Sequence, residues 1–202
     1  MTLRVGVLAS GAGTNLQAIL DRLHGREGVE VVAVGSDKAE APALERAAAA
    51  GVEARGFAAD PDRAARDDAM AAWLSERGVG LVVLAGYMQL LGPGFIGRFR
   101  QRVINVHPAL LPAFPGIRSV EQALEHGVKV FGVTVHFVDD GVDTGPIILQ
   151  RALELPAATD AEEVRSALRP LEHELLTEAV RLIARDAVRI DPANPRRVLI
   201  AS

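Results

Sequence analysis

The feature that most restricts the fold stands at the start of the chain. Leu3 to Ala9 is a compact apolar run ending in Ser10-Gly11-Ala12-Gly13-Thr14-Asn15, after which Leu16, Ile19, Leu20 and Leu23 recur at helical spacing. Strand, glycine loop and helix in that order open a βαβ unit, and such units build parallel sheets covered on both faces. The pattern then repeats. Val29 to Gly35 reads as a strand, Pro42 to Ala50 as an alanine-rich helix, Glu53 to Phe57 as a weak strand, Arg63 to Arg77 as a helix, and Leu81 to Ala85 as a fully buried strand. Right-handed crossovers between them predict an α/β fold: an open, mostly parallel twisted sheet with helices on both faces.

The remainder adds a different kind of pairing. Arg102 to Val106 is a further strand, running into a loop punctuated by Pro108, Pro112 and Pro115, and Val120 to Glu125 is a short helix. Val130 to Val138 and Ile147 to Leu155 flank the turn-rich Asp139 to Pro146, a connection short enough for antiparallel pairing. Thr159 and Glu162 form a capping-box signature for a helix carrying Val164, Leu168, Leu171 and Leu175 on one face. Pro170 removes a backbone donor inside it and predicts a kink or break after Arg169. Beyond Asp186, with Pro192 and Pro195, an edge strand or loose end is expected. With no internal repeat and no linker, residues 1–202 read as one domain.

The glycine loop sits where open α/β sheets bind ligands, beyond a strand's carboxyl end and at a helix N-terminus that attracts anions. It is not a dinucleotide fingerprint, because Leu16 stands where the third glycine is needed, and no Gly-Lys-Ser/Thr makes it a Walker loop. Ser10 is not a nucleophile elbow, since Leu8 and Ala12 occupy the glycine positions of that motif. A phosphate is the simplest guest; the plain alternative is a tight turn with Thr14 capping the helix together with Gln17.

Composition narrows the partners. Lys and Arg number 22 against 26 Asp and Glu, a net charge of −4, so no basic stripe for nucleic acid is expected. The absence of cysteine excludes disulfides, thiolate catalysis and cysteine-based zinc sites, and fits a cytoplasmic protein. The most apolar run, Val79 to Leu91, is broken by Gly80, Gly86 and Gln89 and falls short of the roughly 20 residues a bilayer span needs. The N-terminus lacks the pattern of a signal peptide.

Asn105 and His107 carry the most chemistry. Two apart at a strand end, they point to the same side, one offering an amide donor and the other an acid or base that titrates near neutrality. Together they suit the oxygen of a tetrahedral intermediate, although such residues also satisfy local backbone groups. His136, inside an apolar strand, reads as a core or wall residue. Asp139, Asp140 and Asp143 each qualify as a carboxylate that would raise the pKa of His107, and spacing does not choose among them. No spacing matches a metal site.

Four segments, VLASGAGTNLQAI from Val7, LAGYMQLL from Leu84, INVHPALLPAFPG from Ile104 and GVTVHFVDDGVDTGPIILQ from Gly132, together resemble the folate-dependent formyltransferases, most closely those acting on glycinamide ribonucleotide in purine biosynthesis. The resemblance puts a catalytic trio on Asn105, His107 and Asp143. It assigns Gly11, Ala12, Gly13, Thr14 and Asn15 to the ribonucleotide phosphate, and Glu172 to the glycinamide part. It assigns Arg63, Met88, Gln89, Leu90 and Leu91, with Asn105, Val138, Asp139, Asp140, Gly141 and Asp143, to the folate; without it, Met88, Leu90 and Leu91 read as plain core. The implied co-substrate is 10-formyltetrahydrofolate with no metal, and the implied partners are these small molecules, with a homodimer as the assembly it admits. Residues 1–100 would be the phosphate-binding half and 101–202 the folate-binding and catalytic half.

The implied chemistry is attack of the substrate amine on the formyl carbon. Asn105 and His107 stabilise the oxyanion, and Asp143 holds His107 or an ordered water. Gln89 replaces a basic residue found in some relatives, and Ala113 stands where a polar one is frequent. An RNA-directed sibling is expected to carry a further domain and a basic surface, and a hydrolytic sibling an N-terminal regulatory domain. A dinucleotide-binding module would leave Asn105, His107 and the acidic turn unexplained.

Overall fold

Val5, Val7 and Leu8 of the first strand, β1 (Leu3–Leu8), are 0% exposed, as a strand covered on both faces requires. The computed structural model describes residues 2–57 and 62–201. They fall into two compact units, one running to Ile104 and one starting at Asn105.

In the first unit β1 pairs parallel with β2 (Val29–Ser36) on one side and β4 (Leu81–Leu84) on the other, and β2 pairs parallel with β3 (Ala54–Gly56). Helices α1 (Thr14–Arg22), α2 (Pro42–Ala49) and α3 (Arg63–Glu76) make the crossovers in the order β3-β2-β1-β4. The chain steps outward from β1 to β3 and then returns to β4. Right-handed crossovers therefore put α1 and α2 on one face and α3 on the other, and leave a switch point between β1 and β4. The loops leaving those two strands are the ones beside it. A short helix that periodicity missed, α4 (Pro93–Arg98), packs on α3 and buries Phe95 and Ile96. Its two glycines hide it from propensity, while Pro93 at its start suits a first helical turn.

Strand β5 (Val103–His107) spans the boundary between the units. In the second unit β6 (Val130–Phe137) and β7 (Ile147–Glu154) pair antiparallel, as their short connection predicts. The tail forms β8 (Val188–Asp191) and β9 (Asn194–Ile200), a hairpin whose second strand meets β7 in parallel at Ile147 and Arg197. Helix α6 packs on β6 and β7, and α5 (Ser119–Glu125) packs on α6. Among the described residues no helix is long and apolar enough to cross a membrane.

Two expectations for α6 (Ala161–Ala184) are corrected. Its N-cap is Asp160, whose carboxylate accepts the Glu163 N–H at 2.8 Å, rather than Thr159 acting with Glu162. A carboxylate there also meets the positive end of the helix dipole. Pro170 does not break the helix, which runs unbroken for 24 residues. The missing hydrogen bond and ring clash cost about 3 kcal/mol. Val164 and Leu168 before the proline, and Leu175, Leu176, Ala179 and Val180 after it, are all buried, each larger side chain contributing about 1.5–3 kcal/mol. Burial on both sides thus outweighs the local defect. Because Pro170 itself is exposed, Pro170→Ala is expected to raise the unfolding free energy by about 1–3 kcal/mol in urea denaturation; a decrease would contradict this balance.

Candidate active site

The glycine loop is shaped by its backbone. Gly13 is the N-cap of α1 with φ 72°, and a Cβ there would lie 2.9 Å from Ala43, so glycine is required on both counts. No side chain caps the helix, so the Thr14 cap is not formed. Behind the loop, α2 engages the carbonyls: Ala43 N–H donates to Gly11 at 3.3 Å and Arg46 Nε to Ala12 at 2.7 Å. A Cβ on Gly11 would meet nothing within 4 Å, which leaves room beside the helix N-terminus, the positive end of the helix dipole.

The segment after β4 is tied down along its length. Ser10 N–H donates to the Gly86 carbonyl at 3.1 Å, and Ser10 Oγ accepts the Met88 N–H at 2.8 Å. Gln89 Nε2 donates to Asp37 at 3.1 Å, Arg63 Nη2 to the Leu90 carbonyl at 3.0 Å, and Gly92 N–H to Asp67 at 2.8 Å. Asp67 is buried and its other oxygen receives a forked bond from buried Arg66. Burial pushes the neighbouring Tyr87 phenol up to about 12, so it stays neutral. With the backbone held inward, Met88 and Leu90 are 65% and 57% exposed. They are therefore not core, and they offer apolar surface to a ligand.

In the second unit Asn105 and His107 stand at the carboxyl end of β5, and Asp143 closes on them from the acidic turn at a left-handed φ of 53°. Asp143 Oδ2 accepts the Gly116 N–H at 2.7 Å and lies 3.3 Å from His107 Nδ1. Its Oδ1 accepts from Asn105 Nδ2 at 3.3 Å and lies 3.5 Å from His136 Nε2. Asp139 instead serves its own turn, accepting from Gly141 N–H and the Thr144 hydroxyl. Asp140 is exposed, and Val138 is half-buried beyond the end of β6. Glu172 is half-buried on the unbroken α6.

His136, which reads as a core or wall residue, is buried as expected and borders this cluster. It is 1% exposed, bonds the Phe137 carbonyl through Nδ1, and lies 3.3 Å from Asn105 Nδ2. The signal that could have found it is its place at the strand end leading into the acidic turn.

His107 Nε2 is 2.8 Å from the Phe114 carbonyl, an acceptor only, so Nε2 carries the proton and Nδ1 faces Asp143. Burial pushes the His107 pKa below its ordinary value; the Asp143 charge and the Phe114 carbonyl pull upward without overcoming it. The carboxylate does pull the ring upward as expected, and burial, which the sequence does not show, is the larger force. Burial alone would raise Asp143, but the His136 hydrogen bond, the His107 charge and the Gly116 N–H bring it below the usual carboxylate range. At neutral pH a neutral imidazole nitrogen faces a carboxylate with one proton too few between them, an arrangement ready to accept one. Asn105 Nδ2 donates to Asp143 Oδ1 at 3.3 Å, long enough for that N–H to be traded for a developing oxyanion. Among the described residues no group of three or more His, Cys, Asp or Glu suits a metal ion.

A strand-end carboxamide, imidazole and carboxylate held together suit the movement of a proton and the stabilisation of an oxyanion. Residues 3–180 match the formyl transferase family, and the chain belongs to it. It is 44% identical over 189 residues to the phosphoribosylglycinamide formyltransferase of Mycobacterium tuberculosis, covering 93% of this chain and 87% of that protein. The crystal structure of glycinamide ribonucleotide transformylase 1 from Symbiobacterium toebii has a TM-score of 0.94 at 49% identity, covering 100% of this chain and 95% of that one. A formyltetrahydrofolate deformylase from Pseudomonas syringae has a TM-score of 0.92 at 26% identity, covering 100% of this chain and 67% of that one. The expected α/β fold class holds, and fold alone does not separate transfer from hydrolysis.

Asp143 supplies the charge that favours protonated His107, so Asp143→Asn is expected to lower the ring pKa still further below its ordinary 6.5. An NMR titration of His107 reads this directly, and a rise in the variant would contradict the assignment of forces.

Proposed function

We propose that this chain transfers the formyl group of 10-formyltetrahydrofolate to the amine of glycinamide ribonucleotide in de novo purine biosynthesis, giving formylglycinamide ribonucleotide and tetrahydrofolate. The observation that carries the reading is the buried His107 facing Asp143 at 3.3 Å, with Asn105 bonded to the same carboxylate. Family membership and the name of the M. tuberculosis relative support the substrates.

The acceptor amine is itself the nucleophile, which suits a chain without cysteine. It attacks the formyl carbon, the carbonyl electron pair moves to oxygen, and an Asn105 N–H bonds that oxyanion. The amine gives up a proton to His107, directly or through a water held by Asp143, and Asp143 stabilises the imidazolium. As the oxyanion collapses, the bond to the folate nitrogen breaks and the proton passes to that nitrogen. Gly11, Ala12, Gly13, Thr14 and Asn15 take the phosphate and Glu172 the glycinamide part. Arg63 and Met88 to Leu91, with Val138 to Gly141, take the folate.

Hydrolysis of the same folate is the second reading, favoured by the deformylase likeness. Mixing the purified chain with 10-formyltetrahydrofolate, with and without glycinamide ribonucleotide, separates the two. Tetrahydrofolate formation is expected only with the ribonucleotide, and formate release without it would assign hydrolysis. His107→Ala and Asp143→Ala are each expected to lower kcat by about 10²-fold or more with Kd changed only a few-fold. Near-normal kcat in either variant would remove the trio from the chemistry.

A further inference from the structure

We infer that Ser10 is a positioning residue that couples occupancy of the glycine loop to the conformation of residues 86–92, so that the phosphorylated substrate and the folate reinforce each other's binding. The inference rests on the reading above, in which the loop takes the phosphate and the segment after β4 contacts the folate.

Ser10 is 2% exposed, and both its polar groups described above are spent on that one segment, the N–H on Gly86 and the hydroxyl oxygen on Met88. It follows β1, whose last pairing with β4 is Leu8 to Leu84, so these bonds span the switch point just beyond the paired strand ends. The two sides differ in how firmly they are held. Residues 89–92 are fixed by Asp37, Arg63 and Asp67. The Met88 peptide is held by Ser10, and the Met88 side chain that rides on it is 65% exposed.

The glycine loop has open space at Gly11, and the Ala43 N–H reaches the Gly11 carbonyl at a long 3.3 Å. An anion that gathers the loop N–H groups therefore draws the adjoining Ser10 peptide with it. A shift of a few tenths of an ångström is enough to change a hydrogen bond of 2.8 Å to Met88. In the other direction, a folate packed on Met88 and Leu90 fixes the Met88 peptide and so holds Ser10 and the loop in the anion-binding form. Linkage makes the effect equal in both directions.

The test uses a pair of ligands that cannot react, glycinamide ribonucleotide and tetrahydrofolate, titrated calorimetrically each alone and with the other saturating. In the wild-type chain each is expected to tighten the other by the same factor, about fivefold or more. In Ser10→Ala the affinity for either ligand alone is expected to stay within about threefold, while the factor falls to near one. If that variant does not fold, Ser10→Cys, close in size but a poor acceptor, is held to the same expectation. An unchanged factor in the folded variant, or no mutual tightening in the wild type, overturns the role of Ser10 while leaving the functional reading in place. Failure of the wild-type chain to bind either ligand overturns both.

Discussion

The candidate site depends on one carboxylate. Asp143 is largely buried, yet its two oxygens meet the Gly116 N–H, the Asn105 amide, His107 and His136. A charge taken out of water without such partners would cost several kcal/mol, and removing it would leave the facing groups unpaired. The geometry is bought with a left-handed backbone at Asp143, a conformation that Asp tolerates better than most side chains. From this anchor follow the amide's inward orientation and the imidazole's tautomer. The state of His107 follows from a second force: burial keeps the ring neutral against the pull of the adjacent charge.

The first unit is governed by backbone geometry rather than by charge. Stepping out to β3 and back to β4 creates a switch point, and the loops leaving β1 and β4 lie beside it. Each is held from behind, one by α2 through Ala43 and Arg46 and the other by Asp37, Arg63 and Asp67. With the backbone held inward, the apolar side chains of Met88 and Leu90 are left exposed.

What could be read from the sequence was what depends on neighbours in the chain. The alternation of Asn105 and His107 and the strand–loop–helix start are local, and so were legible. The choice of Asp143 over Asp139 and Asp140 is not local: Asn105 and Asp143 are 38 positions apart, and only the ordered family motifs supplied the choice before the fold did. His136 reads as a core or wall residue and is buried, but the only local mark of the carboxylate it faces is its place beside the acidic turn. Met88 and Leu90 look like core by composition, and their exposure follows from bonds to residues up to 52 and 78 positions away. Pro170 shows a local rule giving way to burial on both sides of the break it predicted.

The state of His107 ties these features to chemistry, and the pH dependence of kcat/KM for formyl transfer tests it most directly. A base held neutral by burial predicts an acid limb with a midpoint below 6.5, the ordinary histidine value, distinct from the limb that the substrate amine, ordinarily about 7.7–8.0, adds of itself. A midpoint of the histidine limb at or above 6.5 would contradict it, showing that the Asp143 charge rather than burial sets the protonation of the imidazole.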